Sequence, residues 1–261
     1  MLSTTTQKMA EIVQNPLEQF QIVPLIPIRS GAMDISFTNS SLMMVLATGA
    51  FLTLCRLVLI EGQGNLIPNR WQALVEFFYS FIQDMVSSNV AERGQGYFPM
   101  VFVLFIFILV CNLIGMVPYS FTVTSHIIVT LALSMTVYVG VTIILFREHG
   151  FHAFSLFVPA GAPFALYSLL IGIELISNVM RVVSLAVRLF ANLMSGHILL
   201  KVLLGFAWTM MMSGGIMLLV HLVPMGVVFI LLFLETAVAM IQAYVFAILT
   251  CIYLNEALHL H

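Results

Sequence analysis

The sequence predicts an all-α polytopic membrane protein: five membrane helices plus one amphipathic surface helix, with the last two membrane helices long and steeply tilted as a hairpin. Three observations lead there. Of 261 residues, 61% are hydrophobic and 8% charged, too little polar surface to clothe a water-soluble globule of that length. Apolar runs long enough to cross ~30 Å of hydrocarbon recur along the chain. The last two of these runs are about twice as long as one crossing needs. The formal charge of −2, with no Lys/Arg cluster, excludes a basic nucleic-acid binder. Cys55, Cys111 and Cys251 lie inside apolar runs with no CxxC or His-rich spacing, and read as small buried hydrophobes rather than a disulfide frame or metal site. Neither a metal nor a cofactor is expected.

Residues 1–36 form a polar segment carrying Lys8, Glu11, Glu18, Arg29 and Asp34. It lacks both the apolar core of a secretory signal and the Arg-rich, acid-poor face of a transit peptide. Residues 37–261 read as one membrane domain. Its first span is 41–60, with Arg56 near the end, where its stem can snorkel to the interface. From 69 to 92, Trp71, Leu74, Val75, Phe78, Phe81, Ile82 and Met85 recur at helical spacing, while Arg70, Glu76, Asp84 and Glu92 fall mostly elsewhere. So charged a helix lies on the membrane rather than crossing it. Spans 98–117 and 126–146 follow, stopped by Pro118 and by "REHG". The arms 163–212 and 216–254 are separated by "SGG". At 1.5 Å per residue, ~40 helical residues cover about 60 Å, so these arms must tilt, curve or break.

Arg56, Arg70, Arg93 and Arg147 fall on one side if five spans alternate, whereas "PYSFTVTSH" and "SGG" carry no Lys or Arg. The positive-inside rule then puts the surface helix and the C-terminus inside and the N-terminus outside.

With Arg188 as reference, Glu174, Ser177, Arg181, Ser184, Asn192 and Ser195 all fall within about 40° of it at 100° per residue. Isolated serines or an asparagine on such a stripe read as a hydrogen-bonded seam between helices. Arginines and a glutamate favour function, because each costs ~2.5–3.5 kcal/mol at mid-membrane on insertion scales. His197 points to the opposite side of the same helix, with Lys201 roughly beside it. On the last arm, His221, Glu235 and Gln242 align. His221 reads as structural. Glu235, behind an unbroken apolar run, must be either neutral or paired, and both states suit proton handling. Glu174 therefore lies toward the inner end, His197 and Glu235 toward the outer end, and Arg188 between. This arrangement suggests two half-paths, separated by a charge that repels protons because it never deprotonates.

"SLAVRLFANLMSGHILLKVLLGFAW", with "NLIGMVPYSFTVTSH" and "ETAVAMIQAYVFAILTCIYLNEALH", closely resembles the subunit a (subunit 6) family of F-type ATP synthases in its mitochondrial form, over nearly all of the chain from about residue 35. The resemblance implies that Arg188 is the stator charge facing the ring of c subunits. It implies an outer proton path past Glu235, His197, Gln242 and Asn192, and an inner one past Glu174, with Ser177 and Arg181 on the same stripe. It also implies a multi-pass protein of the mitochondrial inner membrane (alternatively a bacterial plasma membrane), partnered by the c-ring, peripheral-stalk and other membrane-sector subunits, and non-catalytic by itself.

Other classes fit less well. A b-type haem protein needs paired axial histidines at similar depth. His149 and His152 fall in a loop and His259 and His261 at the terminus, while His126, His197 and His221 all lie toward the outer side. A secondary transporter needs a repeated half with interrupted helices in corresponding positions, and no repeat is visible. A purely structural membrane subunit is the remaining alternative, and it is the one that substitution of Arg188 tests.

Overall fold

The computed structural model describes residues 17–30, 33–34, 36–62, 68–90, 92–117, 120–150 and 167–258. His152, His259, His261, Pro118 and the first residues of the arm expected from 163 lie outside them. Helices dominate: α1 Asn39–Gly62, α2 Arg70–Val90, α3 Phe98–Gly115, α4 Ile127–His149, α5 Tyr167–Ser213, α6 Met217–Val220 and α7 Leu222–Leu258. Among the described residues, four helices are long and apolar enough to cross a membrane: Gly94–Gly115, Ile127–His149, Leu169–Ser213 and Met217–Leu258. These agree with the last four expected spans. The segment of the expected first span is helical in α1 but is not one of the four. α4 continues through "REH", so His149 ends a helix rather than sitting in a loop.

The N-terminal segment departs from the all-helical expectation. β1 (Pro24–Ile26) pairs antiparallel with β4 (Phe37–Thr38), and β2 (Arg29–Ser30) with β3 (Met33–Asp34). Asn39, where α1 begins, ties this ribbon down. Its Oδ1 accepts from Val23 N at 3.2 Å and its Nδ2 donates to Gln21 O at 3.0 Å. Strands of two or three residues carry no periodic signal long enough to read; the apolar run of residues 22–28, which holds β1, is too short to mark an element by itself.

The "SGG" separator ends α5 because Gly214 and Gly215 both take positive φ, 69° and 62°. Two successive left-handed residues are open to glycine and strained for any side chain. The second arm, expected as one helix, is interrupted at His221. Pro224 has no N–H to donate to Val220 O, so helical bonding restarts here, and the proline sits in the first turn of α7, where the missing donor costs nothing. The interruption is local: His221 keeps helical φ and ψ of −61° and −19°, and Met217–Leu258 continues as one membrane-length stretch. Glu235 and Gln242 still share a face of α7, but His221 lies in the turn.

The chain divides into two compact units. The first takes the described residues up to Ala47, Cys111–His126 and Leu189–Ile241; the second takes those of Thr48–Val110, Ile127–Arg188 and from Gln242 onward. In the second unit α2 buries its C-terminal half, with Ile82, Met85, Val86 and Val90 inaccessible, while Trp71 and Leu74 stay exposed. Phe81 meets Phe105 and Tyr244 at centroid distances of 6.1 and 5.7 Å.

In the first unit the turn after α3 folds back on the helix end. The Ser120 hydroxyl lies within reach of the carbonyls of Ile114, Gly115 and Val117, and its single hydrogen can satisfy one at a time of these acceptors that the helix terminus orphans. Asn112, wholly buried, accepts from Thr124 Oγ1 at 2.9 Å and donates to Ala239 O at 3.1 Å, which joins α3 and its turn to α7. Replacing Asn112 with leucine is expected to destabilise this unit by about 1–2 kcal/mol, since membrane-buried hydrogen bonds contribute about 0.6–2 kcal/mol each. Earlier release of the subunit on heating the detergent-extracted complex would register the loss, and an unchanged profile would show that the two bonds contribute nothing.

Candidate functional site: two cavities bearing titratable side chains

In the first unit the site is built on α5, α7 and the turn after α3. Glu235 is 5% exposed, and His197 Nδ1 stands 3.6 Å from its Oε1. That separation is an electrostatic contact, just outside hydrogen-bond reach. Neither carboxylate oxygen has a hydrogen-bond partner among the described residues. Thr122 Oγ1 lies 3.1 Å from His197 Nε2, and the edge of Phe20 meets the imidazole at a centroid distance of 6.4 Å. A hydroxyl both donates and accepts, so Thr122 can hold Nε2 either with or without its proton. Nδ1 is then left to take a proton from Glu235 or to give one.

On its other side Glu235 lines a cavity of about 260 Å3 together with Asn192, Ser195 and Gly196. Gly196 explains how one carboxylate reaches both faces of α5. It lies about 80° round from Arg188, between the stripe and His197, and a Cβ there would come within 2.6 Å of Glu235 Oε1. Gly196→Ala gains up to ~1 kcal/mol of helix propensity, but over-packing typically costs ~1–3 kcal/mol. The expected outcome is a displaced carboxylate and slower proton flux with the complex still assembled; unaltered flux would mean that the carboxylate position is not critical.

The second unit holds the other part of the stripe. Ser177, Arg181, Ser184, Arg188 and Tyr253 line a cavity of about 300 Å3. Arg181 forms a salt bridge with Glu256, and its guanidinium carbon lies 5.6 Å from the centre of the Tyr253 ring. Arg188 is exposed and makes no ion pair with a described residue. Glu174 is half-buried two turns of α5 earlier than Arg181 and is not among the lining residues of that cavity, and Gln242 is 3% exposed in the same unit. Among the described residues no group of three or more His, Cys, Asp or Glu side chains is placed to hold a metal.

Of the residues singled out in the sequence, the structure thus brings together Glu235 with His197, Asn192 with Glu235, and Ser177 with Arg181 and Arg188. Glu174 and Gln242 are not among the lining residues of either cavity. Five participants, Thr122, Gly196, Phe20, Tyr253 and Glu256, have no role in the sequence analysis. Thr122 sat unremarked in "SFTVTSH", and neither Gly196 nor Phe20 offers a periodic signal. Glu256 had one: positions 235, 242, 249 and 256 are heptad steps on one face of α7.

A chain with several long apolar helices, carrying Glu235 at one cavity and two arginines at another, is a polytopic membrane protein. It belongs to the ATP synthase A chain family, whose family model matches residues 41–255. The ATP synthase subunit a of Marchantia polymorpha is 52% identical over 250 residues, covering 95% of this chain and 99% of the relative. That of Brassica napus is 50% identical, covering 96% and 98%. The bacterial subunit a of Paramagnetospirillum magneticum (strain ATCC 700264 / AMB-1) is 49% identical, covering 95% and 99%.

Proposed function

We propose that this chain is the proton-translocating stator subunit in the membrane sector of a rotary F-type ATP synthase of the mitochondrial inner membrane. The observation that carries the reading is Arg188: a permanent cation on an apolar helix, exposed and without an ion pair to any described residue. Such a charge is costly in lipid and is retained where a partner supplies its counter-charge. The partner proposed is the ring of c subunits, each bringing a carboxylate.

Protons enter from the intermembrane space past Glu235 and His197, with Asn192 and Gln242 on the way to the ring, and protonate a ring carboxylate. The neutral acid travels through lipid, which a bare carboxylate cannot do at tolerable cost. It gives up its proton to the matrix past Ser177 and Glu174, on the wall that also holds Arg181. Arg188 attracts each returning carboxylate and repels protons at the place where two offset half-channels would otherwise join. The driving term is ~2.3 kcal/mol per proton per 100 mV, with the pH difference added to it.

Within this reading α1 makes a fifth crossing, α2 lies on the inner surface, and α5 with α6 and α7 forms a steeply tilted hairpin along the ring wall. The N-terminus faces the intermembrane space and the C-terminus the matrix. Peripheral-stalk and other membrane-sector subunits hold the chain against the ring. It needs no metal or cofactor of its own, and catalysis of ATP formation lies elsewhere in the complex.

The test is a map of the assembled complex at side-chain resolution. Arg188 is expected opposite a ring carboxylate, with a water-filled cleft on either side. Density placing it against lipid or against a static helix would overturn the proposal.

A further inference from the structure

The stripe on α5 carries two guanidinium groups, although the task proposed for it needs one. Arg181 and Arg188 are one heptad apart, about 20° round the helix and about 10 Å along it, and both line the same cavity. At that spacing in a poorly hydrated site, either cation can draw an approaching carboxylate. A second trap nearer the inner end would hold the carboxylate ionised where it has to move on.

The structure treats the two differently. Arg181 is engaged twice, by the Glu256 carboxylate and by the face of Tyr253. Its side chain is 34% exposed and that of Glu256 46%, so the pair lies outside the packed interior; Arg181 lines this cavity, whereas Glu256 lines with Arg181 and Tyr253 a neighbouring one of about 210 Å3. A plain structural clamp between α5 and α7 would be served as well by apolar side chains, since paired charges give little net stability. Arg188 has no such counter-charge among the described residues. Tyr253, which lines the same cavity as both arginines, keeps the Arg181 guanidinium against α7 through a cation–π contact.

We propose that Glu256 is a positioning residue that neutralises Arg181, leaving Arg188 as the cation of this cavity that meets a partner's carboxylate. The inference rests on the stator function proposed above. It assigns a task to an acidic side chain near the end of α7, and it makes Arg181 a wall residue whose charge must be cancelled rather than used.

The experiment measures ATP-driven proton pumping by the complete ATP synthase in liposomes, normalised to assembled complex, for Glu256→Gln, Arg181→Gln/Glu256→Gln and Arg188→Ala. Glu256→Gln unmasks the second cation and is expected to lower pumping by about fivefold or more, and the double variant to recover at least about threefold of that, a coupling of the size seen between contacting charges. A clamp or a proton-accepting Glu256 predicts no recovery. A double variant no better than Glu256→Gln therefore overturns the inference, as does a Glu256→Gln complex that pumps normally. If Glu256→Gln alone fails to assemble, the double variant is expected to assemble because the unpaired charge is gone, and its failure to do so is equally fatal. Arg188→Ala separates the two levels: were it to pump normally, the stator function itself would fall, whereas its loss alongside an unrecovered double variant would remove only the role of Glu256.

Discussion

Arg188→Ala is expected to assemble normally and to lose ATP-driven proton pumping by about 100-fold or more, equivalent to roughly 3 kcal/mol of lost stabilisation. Assembly should survive because Arg188 makes no ion pair with a described residue, so its removal orphans no partner charge there. It also lifts a mid-membrane charging cost of about 2.5–3.5 kcal/mol. Pumping should fail because no other group in the cavity is both permanently charged and uncompensated: serine hydroxyls are neutral, and Arg181 is held by Glu256. A passive proton leak in the same liposomes is a further expected sign, since the fixed charge that separates the two half-channels is gone. Lysine at this position is expected to rescue poorly. Its ammonium is a compact, strongly hydrated charge that loses its proton more readily when desolvated. Normal pumping by Arg188→Ala would return the chain to the class of purely structural membrane subunits.

Glu235→Gln should cut proton flux by about tenfold while leaving the amount of assembled complex unchanged. The amide is nearly isosteric with the carboxylate, and Glu235 is buried with neither oxygen hydrogen-bonded to a described residue. Removing its ionisation therefore relieves a buried charge rather than breaking a network. What is lost is a proton-exchanging group 3.6 Å from His197. His197 remains, with Thr122 at its other nitrogen, which is why a residual flux is expected rather than none. Flux measured in both directions under an imposed gradient checks this, and an undiminished rate would take Glu235 out of the path.

Much of the architecture was legible because it depends on patterns that survive without tertiary context. Apolar runs of 18 or so residues mark crossings by length alone, and α3, α4, α5 and α7 lie where those runs predicted. "SGG" marked the end of α5 because two glycines in sequence can both be left-handed. The stripe through Arg188 was visible because α5 is one unbroken helix, so 100° per residue can be counted along it. The break at His221 was signalled by Pro224 but was read through, since a proline near a helix start and one inside a helix look alike until the start is known.

The pairs that make the sites were less legible, and for a different reason. His197 pointed away from Arg188 by helical phase, and its neighbour Glu235 comes from 38 positions further along. Nothing local says that Gly196 leaves the gap in which that carboxylate sits. Asn112 with Thr124 and Ala239, and Arg181 with Glu256, are likewise meetings of distant segments.

By itself, then, the sequence determined the solvent this chain lives in, the lengths and faces of its helices, and which rare charges lie inside them, because hydropathy and helical period are properties of a segment alone. Only the tertiary structure decided which charges are matched. Arg181 pairs with Glu256 whereas Arg188 pairs with no described residue, and Glu235 lies between His197 and a cavity, because the side chain that sits against another depends on how separate helices pack, and helical phase says nothing about a neighbour.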